Sequence, residues 1–413
     1  MRTTLRSALL APALSLLTAV TVLAPVPVAA AAGDEPRVDV ALEWYDVTAE
    51  TLTAPGLLQV VNNRGWSIGW TAATRALHTT PTAGSPDTYR QAALAGAVHA
   101  SLRELAPDRA EALDAALERT LRQLPDGPAE DGGLAAGRDE AAAMLDERRD
   151  DGLDPSSINP PFPAPPPAPG VWQPTPPDYL TGSLSGLRHA RPFLLDAADQ
   201  FRPPPPPALG SPRYRADLAE VRDYGSADST VRTPLQTETA AFWYGSAYAM
   251  HIEPLRVALE RLDAPLAERA ALVALHHVAL VDAQIATSDA KYHYLTWRPV
   301  TALRAGGDTD WTPLHVTPAG PDYTSGHSGY TSTADRVLTA LTGPRTAPFE
   351  LTSPTAPGVT RTYTAWRQLT REVVDARVWS GIHTRTADEA GARLGRDIAD
   401  HTLRHAGELF RRP

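Results

Sequence analysis

Three short blocks in the second half of the sequence combine cations, histidines and small hydrogen-bonding residues. In the first block, Lys291 and Arg298 lie seven residues apart in the segment KYHYLTWRP. Seven residues is almost two turns of an α-helix, so a continuous helix would direct both cations to one side. Pro299 does not fit inside a regular helix, which predicts Arg298 at a helix end, where its guanidinium can enter a cleft. Taken alone, such a pair is more typical of a solvated surface.

The second block is the segment PDYTSGH, Pro321–His327, which precedes a helical pattern that runs through Leu341. It is typical of a turn that opens a helix. Ser325 can donate a hydroxyl, Gly326 lets the backbone approach a ligand, and the free N–H groups of the first helical turn attract an anion. His327 would then stand beside that anion as a proton donor or acceptor. By itself the triplet is more typical of an ordinary helix N-cap.

The third block is ARVWSGIH, in which Arg377 ends a predicted helix and Ser380 with Gly381 interrupts the chain before His383. Another long helix is predicted to begin near Thr386. Six residues along an unbroken helix would direct Arg377 and His383 to different sides, so the interruption allows both to face one centre. A lone histidine at this position is more often a structural histidine than a ligand.

Together the three blocks provide one lysine, two arginines, a serine hydroxyl, a glycine amide and two histidines. Such groups can hold a tetrahedral oxyanion by charge and hydrogen bonds, while one imidazole bonds its central atom and the other moves protons. The sequence therefore predicts an oxyanion-binding catalytic site in its C-terminal half, made of Lys291, Arg298, Ser325, Gly326, His327, Arg377 and His383.

In this order, the blocks resemble the vanadium-dependent haloperoxidases, which share a superfamily with type 2 phosphatidic acid phosphatases and bacterial acid phosphatases. The likeness extends through WTPL at Trp311–Leu314 and weakly through DQFRPPPPP at Asp199–Pro207, with its specific part in Lys291–Asp388. It implies that the nitrogen of His383 bonds vanadium and that His327 is the acid–base residue. The oxygens of the vanadate cofactor would be held by Lys291, Arg298, Ser325, Gly326 and Arg377.

The resemblance implies an enzyme that uses hydrogen peroxide to oxidise halide to hypohalous acid, with Lys291 polarising the peroxide. Vanadate adopts a geometry like the phosphoryl-transfer transition state, so the same residues would serve hydrolysis of a phosphate ester. His383 would then attack phosphorus and His327 would protonate the leaving oxygen. A third alternative is a vanadate- or phosphate-binding protein without turnover.

The sequence departs from the family pattern at several positions near these blocks. Thr324 stands where the family usually has proline, and Ala376 stands where it commonly has serine. Many members place an aspartate four residues after the ligand histidine to orient it, whereas this sequence has Ala387 there and Asp388 one residue further. Gly320 replaces a common aromatic residue. Without this aromatic side chain the halide pocket is expected to be open to water. Such a pocket favours bromide over chloride as substrate.

The elements that must position the blocks are predicted to be helices almost throughout, because alternating β-branched runs are scarce. A helix from about Pro265 to Ala286 is apolar on nearly every face, so it is expected at the centre of the fold, with Lys291 and Arg298 directly after it. His293 is near enough to Lys291 to enter the same pocket. We predict an all-α fold of helical bundles in two packed halves, with the oxyanion site in the C-terminal bundle.

Composition divides the chain into four segments. Residues 1–32 combine Arg2 and Arg6 with an apolar run and a tail of alanines, which is typical of a secretory signal peptide and predicts a secreted, extracellular protein. Residues 33–150 form an N-terminal helical half and residues 151–210 form a proline-rich surface connection. Residues 211–413 form the C-terminal catalytic half.

Charge and cysteine content exclude several other classes of protein. The 413 residues contain no cysteine, which excludes disulfides and zinc sites made of thiolates. The net charge of −10 becomes −12 if Arg2 and Arg6 are removed with the signal, which disfavours nucleic acid and anionic lipid surfaces. No later stretch is expected to span a membrane. A monomer and a homodimer are both compatible with the buried apolar helices.

Overall fold

The computed structural model describes residues 39–53 and 58–411, so the predicted signal peptide lies outside the described residues. In the N-terminal part, local capping sets where helices begin. Ser85, for example, accepts a hydrogen bond from the backbone N–H of Thr88, and Pro86 occupies the first helical turn, where no N–H is needed. The helices here are α1 (Val40–Leu52), α2 (Gln59–Leu77), α3 (Pro86–Leu105), α4 (Ala110–Leu121) and α5 (Pro128–Glu147).

The C-terminal part repeats this helical construction and adds one antiparallel β-hairpin. Phe349 of the first strand lies opposite Tyr363 of the second. The strands are β1 (Phe349–Ser353) and β2 (Ala356–Tyr363). The helices are α7 (Pro212–Gly225), α8 (Pro234–Phe242), α9 (Ala247–Arg261), α10 (Leu266–Tyr294), α11 (Pro299–Ala305), α12 (Gly326–Thr342), α13 (Arg367–Trp379) and α14 (Arg385–Leu409). The predicted all-α class is confirmed, with this hairpin as a small addition.

The proline-rich segment of residues 151–210 contains a one-turn helix, α6 (Pro155–Ile158), and a 3-10 turn at Leu187–His189. It was predicted to run over the surface without a core of its own. Instead, Ile158 and Leu187 are buried and pack with side chains of α10. The segment therefore covers the central helix, because its few apolar side chains gain more from burial there than from exposure.

Helix α10 lies at the centre of the protein and packs against α2, α12 and α14. Its Leu272, Val273 and Ile285 side chains are almost completely buried, as the apolar pattern on all faces predicted. Among the described residues, α10 is the helix with the length and composition to cross a membrane, which corrects the expectation that no such stretch exists. Because 89% of that stretch is buried inside the protein, the helix serves as a core element.

The two helical halves pack together through one shared hydrophobic core. Trp44, Trp66 and Trp70 from α1 and α2 belong to the same buried cluster as Tyr248 and Leu280 from α9 and α10. The indole N–H of Trp66 also donates to the hydroxyl of Tyr248 over 2.9 Å, so a hydrogen bond links α2 to α9 inside this core. Burial of large side chains across both halves stabilises their relative position.

Helices α12 and α14 approach so closely that their backbones touch. A Cβ atom at Gly391 would collide with the carbonyl oxygen of Ser325, and one at Gly395 would collide with that of Gly329. The backbone N–H of Ser325 donates to the carbonyl of Ala387 over 2.9 Å. These contacts hold the N-terminus of α12 against the start of α14, beside the loop that carries His383.

Candidate active site

Lys291 lies in the last turn of α10 rather than beyond its end, because the helix continues to Tyr294. The chain then turns at Leu295, which has a left-handed conformation with φ of 48°. The prediction that Lys291 and Arg298 share one continuous helical face was therefore wrong, although both residues line the same cavity. The Nζ atom of Lys291 donates to the carbonyl oxygen of Pro321 over 2.5 Å.

Arg298 is the N-cap residue of α11, as the following proline predicted. Its side chain is 2% exposed and is held by backbone carbonyls on two separate segments. Nε donates to Gly320 over 2.6 Å, and Nη1 donates to Ile382 over 2.7 Å. Nη1 also lies 3.1 Å from Nε2 of His383, so this guanidinium joins the first block to the third.

Ser325 caps α12, with its Oγ accepting from the backbone N–H of Ser328 over 3.5 Å. The residue is fully buried. Gly326 and His327 line the cavity, whereas Ser325 lies behind them. The first turn of this 17-residue helix therefore presents its positive end and free N–H groups toward the space in which the second block predicted an anion.

The predicted interruption between Arg377 and His383 is confirmed. Helix α13 ends at Trp379, and α14 begins at Arg385. Gly381 has φ of 77°, and a Cβ atom there would collide with the carbonyl oxygen of Gly225, so glycine is required on both counts. The reversal brings Arg377 and His383 to the same cavity.

Asp322 is the functional residue that the sequence reasoning missed. Its Oδ1 lies 2.6 Å from Nδ1 of His383, and its Oδ2 accepts from the hydroxyl of Thr384 over 2.7 Å. The family pattern has an orienting aspartate shortly after the ligand histidine, and the corresponding carboxylate here is Asp388. That residue accepts from the hydroxyl of Ser328 over 2.8 Å and does not contact the imidazole. The sequence did offer one signal for Asp322, because it is a carboxylate inside the second block. Its partner, His383, lies 61 residues further along the chain.

The contact with Asp322 decides the tautomer of His383. A carboxylate accepts the Nδ1 proton, so Nε2 carries the lone pair, which faces the Nη1 donor of Arg298 at 3.1 Å. Burial lowers the pKa of His383 well below 6.5, and the nearby Arg298 and Lys291 lower it further. Burial also raises the pKa of Asp322 to about 6, although Arg298 opposes this shift. The imidazole is therefore neutral, as a ligand or nucleophile must be.

His327 has the opposite tautomer. Its Nε2 donates to the carbonyl oxygen of Gly245 over 2.8 Å, which leaves Nδ1 as the free acceptor. Burial lowers the pKa of His327 to about 3, and Arg377 adds to this effect. A negative ligand beside it would favour the protonated form, because an opposite charge stabilises the imidazolium. His327 can therefore take up a proton when an anion is bound.

The cations of the site are held away from water without enough negative charge to balance them. Burial lowers the pKa values of Arg298 and Arg377 to about 10 and that of Lys291 well below 10.5. Arg377 donates from Nη1 to the carbonyl of Trp243 over 3.2 Å, but its buried Nε has no partner among the described residues. A buried donor without a partner is costly, so this arrangement favours an incoming anion.

These side chains line one cavity of about 350 Å³. His293, in contrast, is exposed and stacks edge-on against Tyr294 instead of entering the cavity. Within residues 39–53 and 58–411, no group of three or more His, Cys, Asp or Glu side chains is arranged to hold a metal cation. The donor set, rich in N–H groups, suits an oxyanion. The residues brought together at the cavity are Lys291, Arg298, Gly326, His327, Arg377 and His383.

Comparison with known proteins gives one matching family and several similar structures. Residues 271–412 match the VCPO second helical-bundle domain. A bacterial vanadium-dependent iodoperoxidase structure is similar with a TM-score of 0.76 at 25% identity, covering 89% of this chain and 97% of that one. None of the curated proteins compared with the chain matches it.

Two structures of bacterial vanadium-dependent chloroperoxidase share the fold at lower identity. The holo-type structure has a TM-score of 0.65 at 15% identity, covering 89% of this chain and 93% of that one. The apo-type structure has a TM-score of 0.69 at 14% identity, covering 86% of this chain and 96% of that one. Residues 271–412 therefore match the VCPO second helical-bundle domain, and the chain has the fold of the bacterial vanadium-dependent haloperoxidase structures.

Proposed function

We propose that this protein is a vanadate-dependent haloperoxidase, which oxidises halide with hydrogen peroxide. One observation carries the proposal: two buried arginines, the half-buried Lys291, the N-terminus of α12 and a neutral imidazole converge on a single cavity. The overall reaction converts hydrogen peroxide, a halide ion and a proton into hypohalous acid and water. The similarity to an iodoperoxidase over 97% of that chain supports an enzyme of this type.

The residues present fit vanadate. Lys291, Arg298 and Arg377 would neutralise its charge, and the unpartnered Nε of Arg377 would gain an acceptor. The amide of Gly326 would bind its oxygens at the N-terminus of α12, whereas the amide of Ser325 is already bonded to the carbonyl of Ala387. The Nε2 lone pair of His383 would bond vanadium, with Nδ1 anchored on Asp322. When bound, vanadate would activate peroxide for the two-electron oxidation of halide.

The protein's own groups account for charge and proton handling in this proposal. Asp322 fixes the imidazole of His383 through Nδ1, and Nη1 of Arg298, which lies 3.1 Å from Nε2, would donate to the bound anion instead. His327 would accept a proton on Nδ1 and return it to the departing oxygen, since its Nε2 is engaged by Gly245. The Nζ of Lys291 would donate to a bound oxygen in place of the Pro321 carbonyl.

We propose that iodide and bromide are oxidised more readily than chloride. Gly320 lines the cavity where an aromatic residue is common, and a Cβ atom there would have only the Tyr292 hydroxyl nearby, at 3.8 Å. Its φ of 144° would strain any residue other than glycine, so the backbone conformation itself keeps a larger side chain out of this wall of the cavity. Water in this space would weaken the electrostatic field of the site, and chloride is the hardest of these halides to oxidise.

Reconstitution of the purified protein with vanadate tests the proposal directly. Formation of triiodide from iodide, and bromination activity with bromide, are expected to appear only with both vanadate and peroxide. A parallel assay with p-nitrophenyl phosphate measures the alternative reaction at the same residues. Phosphate release without any vanadate-dependent halide oxidation would replace the haloperoxidase by a phosphatase, and binding of both anions without turnover would indicate a binding protein.

We also propose, from composition alone, that residues 1–32 direct export and are removed from the mature protein. Sequencing the N-terminus of protein secreted by its source cells tests this. A start after residue 32 is expected, whereas retention of Arg2 and Arg6 in the released protein would contradict it.

A further inference from the structure

Thr384 follows His383 directly and is the N-cap residue of α14. Its Oγ accepts from the backbone N–H of Ala387 over 3.3 Å, which caps the first turn of the helix. The same hydroxyl donates to Oδ2 of Asp322 over 2.7 Å, and the backbone N–H of Thr384 donates to that oxygen over 3.4 Å. One residue therefore joins the start of α14 to the carboxylate that contacts His383.

The direction of these hydrogen bonds follows from their donors. A backbone N–H can only donate, so the Thr384 oxygen is the acceptor for Ala387, and its single proton points to Asp322. Because the hydroxyl and the amide both donate to Oδ2, the carboxylate also acts as an acceptor at Oδ1, 2.6 Å from Nδ1 of His383. Each bond in such a series polarises the next. The series that begins at the backbone of α14 therefore favours the imidazole proton on Nδ1.

Helix packing fixes the place from which Thr384 acts. The carbonyl of Ala387 accepts from the backbone N–H of Ser325 over 2.9 Å, and Gly391 lies against the carbonyl of Ser325. These contacts hold the first turn of α14 on α12 through backbone groups alone. The 25 residues of α14 also place a partial positive charge at this end, which favours an ionised carboxylate at Asp322.

We propose that Thr384 is a positioning residue: its hydroxyl holds Asp322 as a hydrogen-bond acceptor and thereby keeps the lone pair of His383 on Nε2. The inference rests on the proposed function, in which this lone pair bonds vanadium. Thr384 does not line the cavity of the candidate site, so its effect reaches the anion only through Asp322 and His383.

Four substitutions separate this role from helix capping. Thr384→Val replaces the hydroxyl by a methyl group of similar size, whereas Thr384→Ser keeps the hydroxyl. Thr386→Val makes the same change two residues later, where the hydroxyl accepts from Arg213 and does not contact Asp322. Ser85→Ala removes the cap of α3 and measures the effect of a lost cap alone.

The tautomer of His383 in the unliganded protein is the first test, because it requires neither vanadate nor turnover. Long-range nitrogen–proton NMR correlations distinguish the protonated ring nitrogen from the other, and the signals absent from His383→Ala belong to this residue. We expect the proton on Nδ1 in the native protein and in Thr384→Ser, Thr386→Val and Ser85→Ala. Thr384→Val is expected to give a mixture of both tautomers. A proton on Nε2 in the native protein, or an unchanged Nδ1 proton in Thr384→Val, would overturn the proposal.

Vanadate affinity, measured by equilibrium dialysis, is the second test. Thr384→Val is expected to weaken binding about tenfold, the lower end of the effect of losing a partner behind a metal-bound histidine, while Thr384→Ser and Thr386→Val change it less than about threefold. Ser85→Ala should lower the melting temperature without changing the affinity. At saturating vanadate, Thr384→Val should regain most of the halide turnover, since no group that would contact the anion has changed.

Two results of the affinity test would refute the positioning role. One is equal weakening in Thr384→Ser and Thr384→Val, and the other is a lower melting temperature as the only effect of Thr384→Val. Absence of vanadate binding in the native protein would instead refute the proposed function. The tautomer measurement in the unliganded protein would still decide whether Thr384 sets the proton of His383.

Discussion

Replacement of Asp322 by asparagine changes the hydrogen bonding of His383 without changing the size of the side chain. The carboxylate accepts from Nδ1 of His383 on one oxygen and from Thr384 on the other. An asparagine has one acceptor and one NH₂ donor, so one of these two donors loses its partner. If the NH₂ group faces His383, the imidazole proton moves to Nε2 and the lone pair that would bond vanadium disappears.

The magnitude follows from the type of contact that is lost. A hydrogen bond to a charged group contributes about 1.5–3 kcal/mol, and about 1.4 kcal/mol corresponds to a factor of ten. We therefore expect Asp322→Asn to weaken vanadate binding about 10- to 100-fold, the usual effect of losing a partner of a metal-bound histidine. Titrating the halide-oxidising activity with vanadate gives the dissociation constant, and excess vanadate should restore part of the activity.

Asp388→Asn is the matched control, since Asp388 is equally buried and close to the site but bonds Ser328 instead of His383. Burial raises the pKa of Asp388 to about 7, so a neutral amide resembles its protonated form. We expect vanadate affinity to change less than about threefold, because no contact to the ligand histidine is lost. A larger loss for Asp388→Asn than for Asp322→Asn would refute the assignment of the orienting carboxylate.

Three further predictions concern binding, substrate choice and acid stability. His383→Ala should abolish tight vanadate binding, whereas His327→Ala should retain binding and lose about 10²- to 10⁴-fold in turnover; equal loss of binding in a vanadate titration would show that the two roles are wrongly divided. Competition assays should rank iodide and bromide above chloride, and efficient chloride oxidation would contradict the argument from Gly320. His276 is fully buried with both nitrogens unpartnered, and burial lowers its pKa to about 3. Since the unfolded histidine takes up a proton near pH 6.5, stability should fall as the pH drops from 6.5 toward 3, by up to about 1.4 kcal/mol per unit. His276→Leu should flatten the dependence of melting temperature on pH between 7 and 4, and an unchanged slope would count against this account.

Helical periodicity and local signals determined most of the secondary structure near the site. The apolar faces of α10 predicted a central helix, Pro299 predicted a helix boundary at Arg298, and Ser325 with Gly326 predicted the start of α12. These features depend on residues a few positions apart, so they can be read from sequence. The types of residue in the three blocks likewise determined the chemistry, because cations and imidazoles in this combination suit an oxyanion.

The tertiary structure decided which groups meet. Lys291 and Arg298 reach one cavity through a left-handed turn at Leu295, not through the continuous helix that their spacing suggested. Asp322 orients His383 because Gly391 and Gly395 allow α12 and α14 to touch, which brings together two loops that are distant in sequence. Glycine contacts and chain reversals of this kind depend on packing between helices, and no local pattern specifies them.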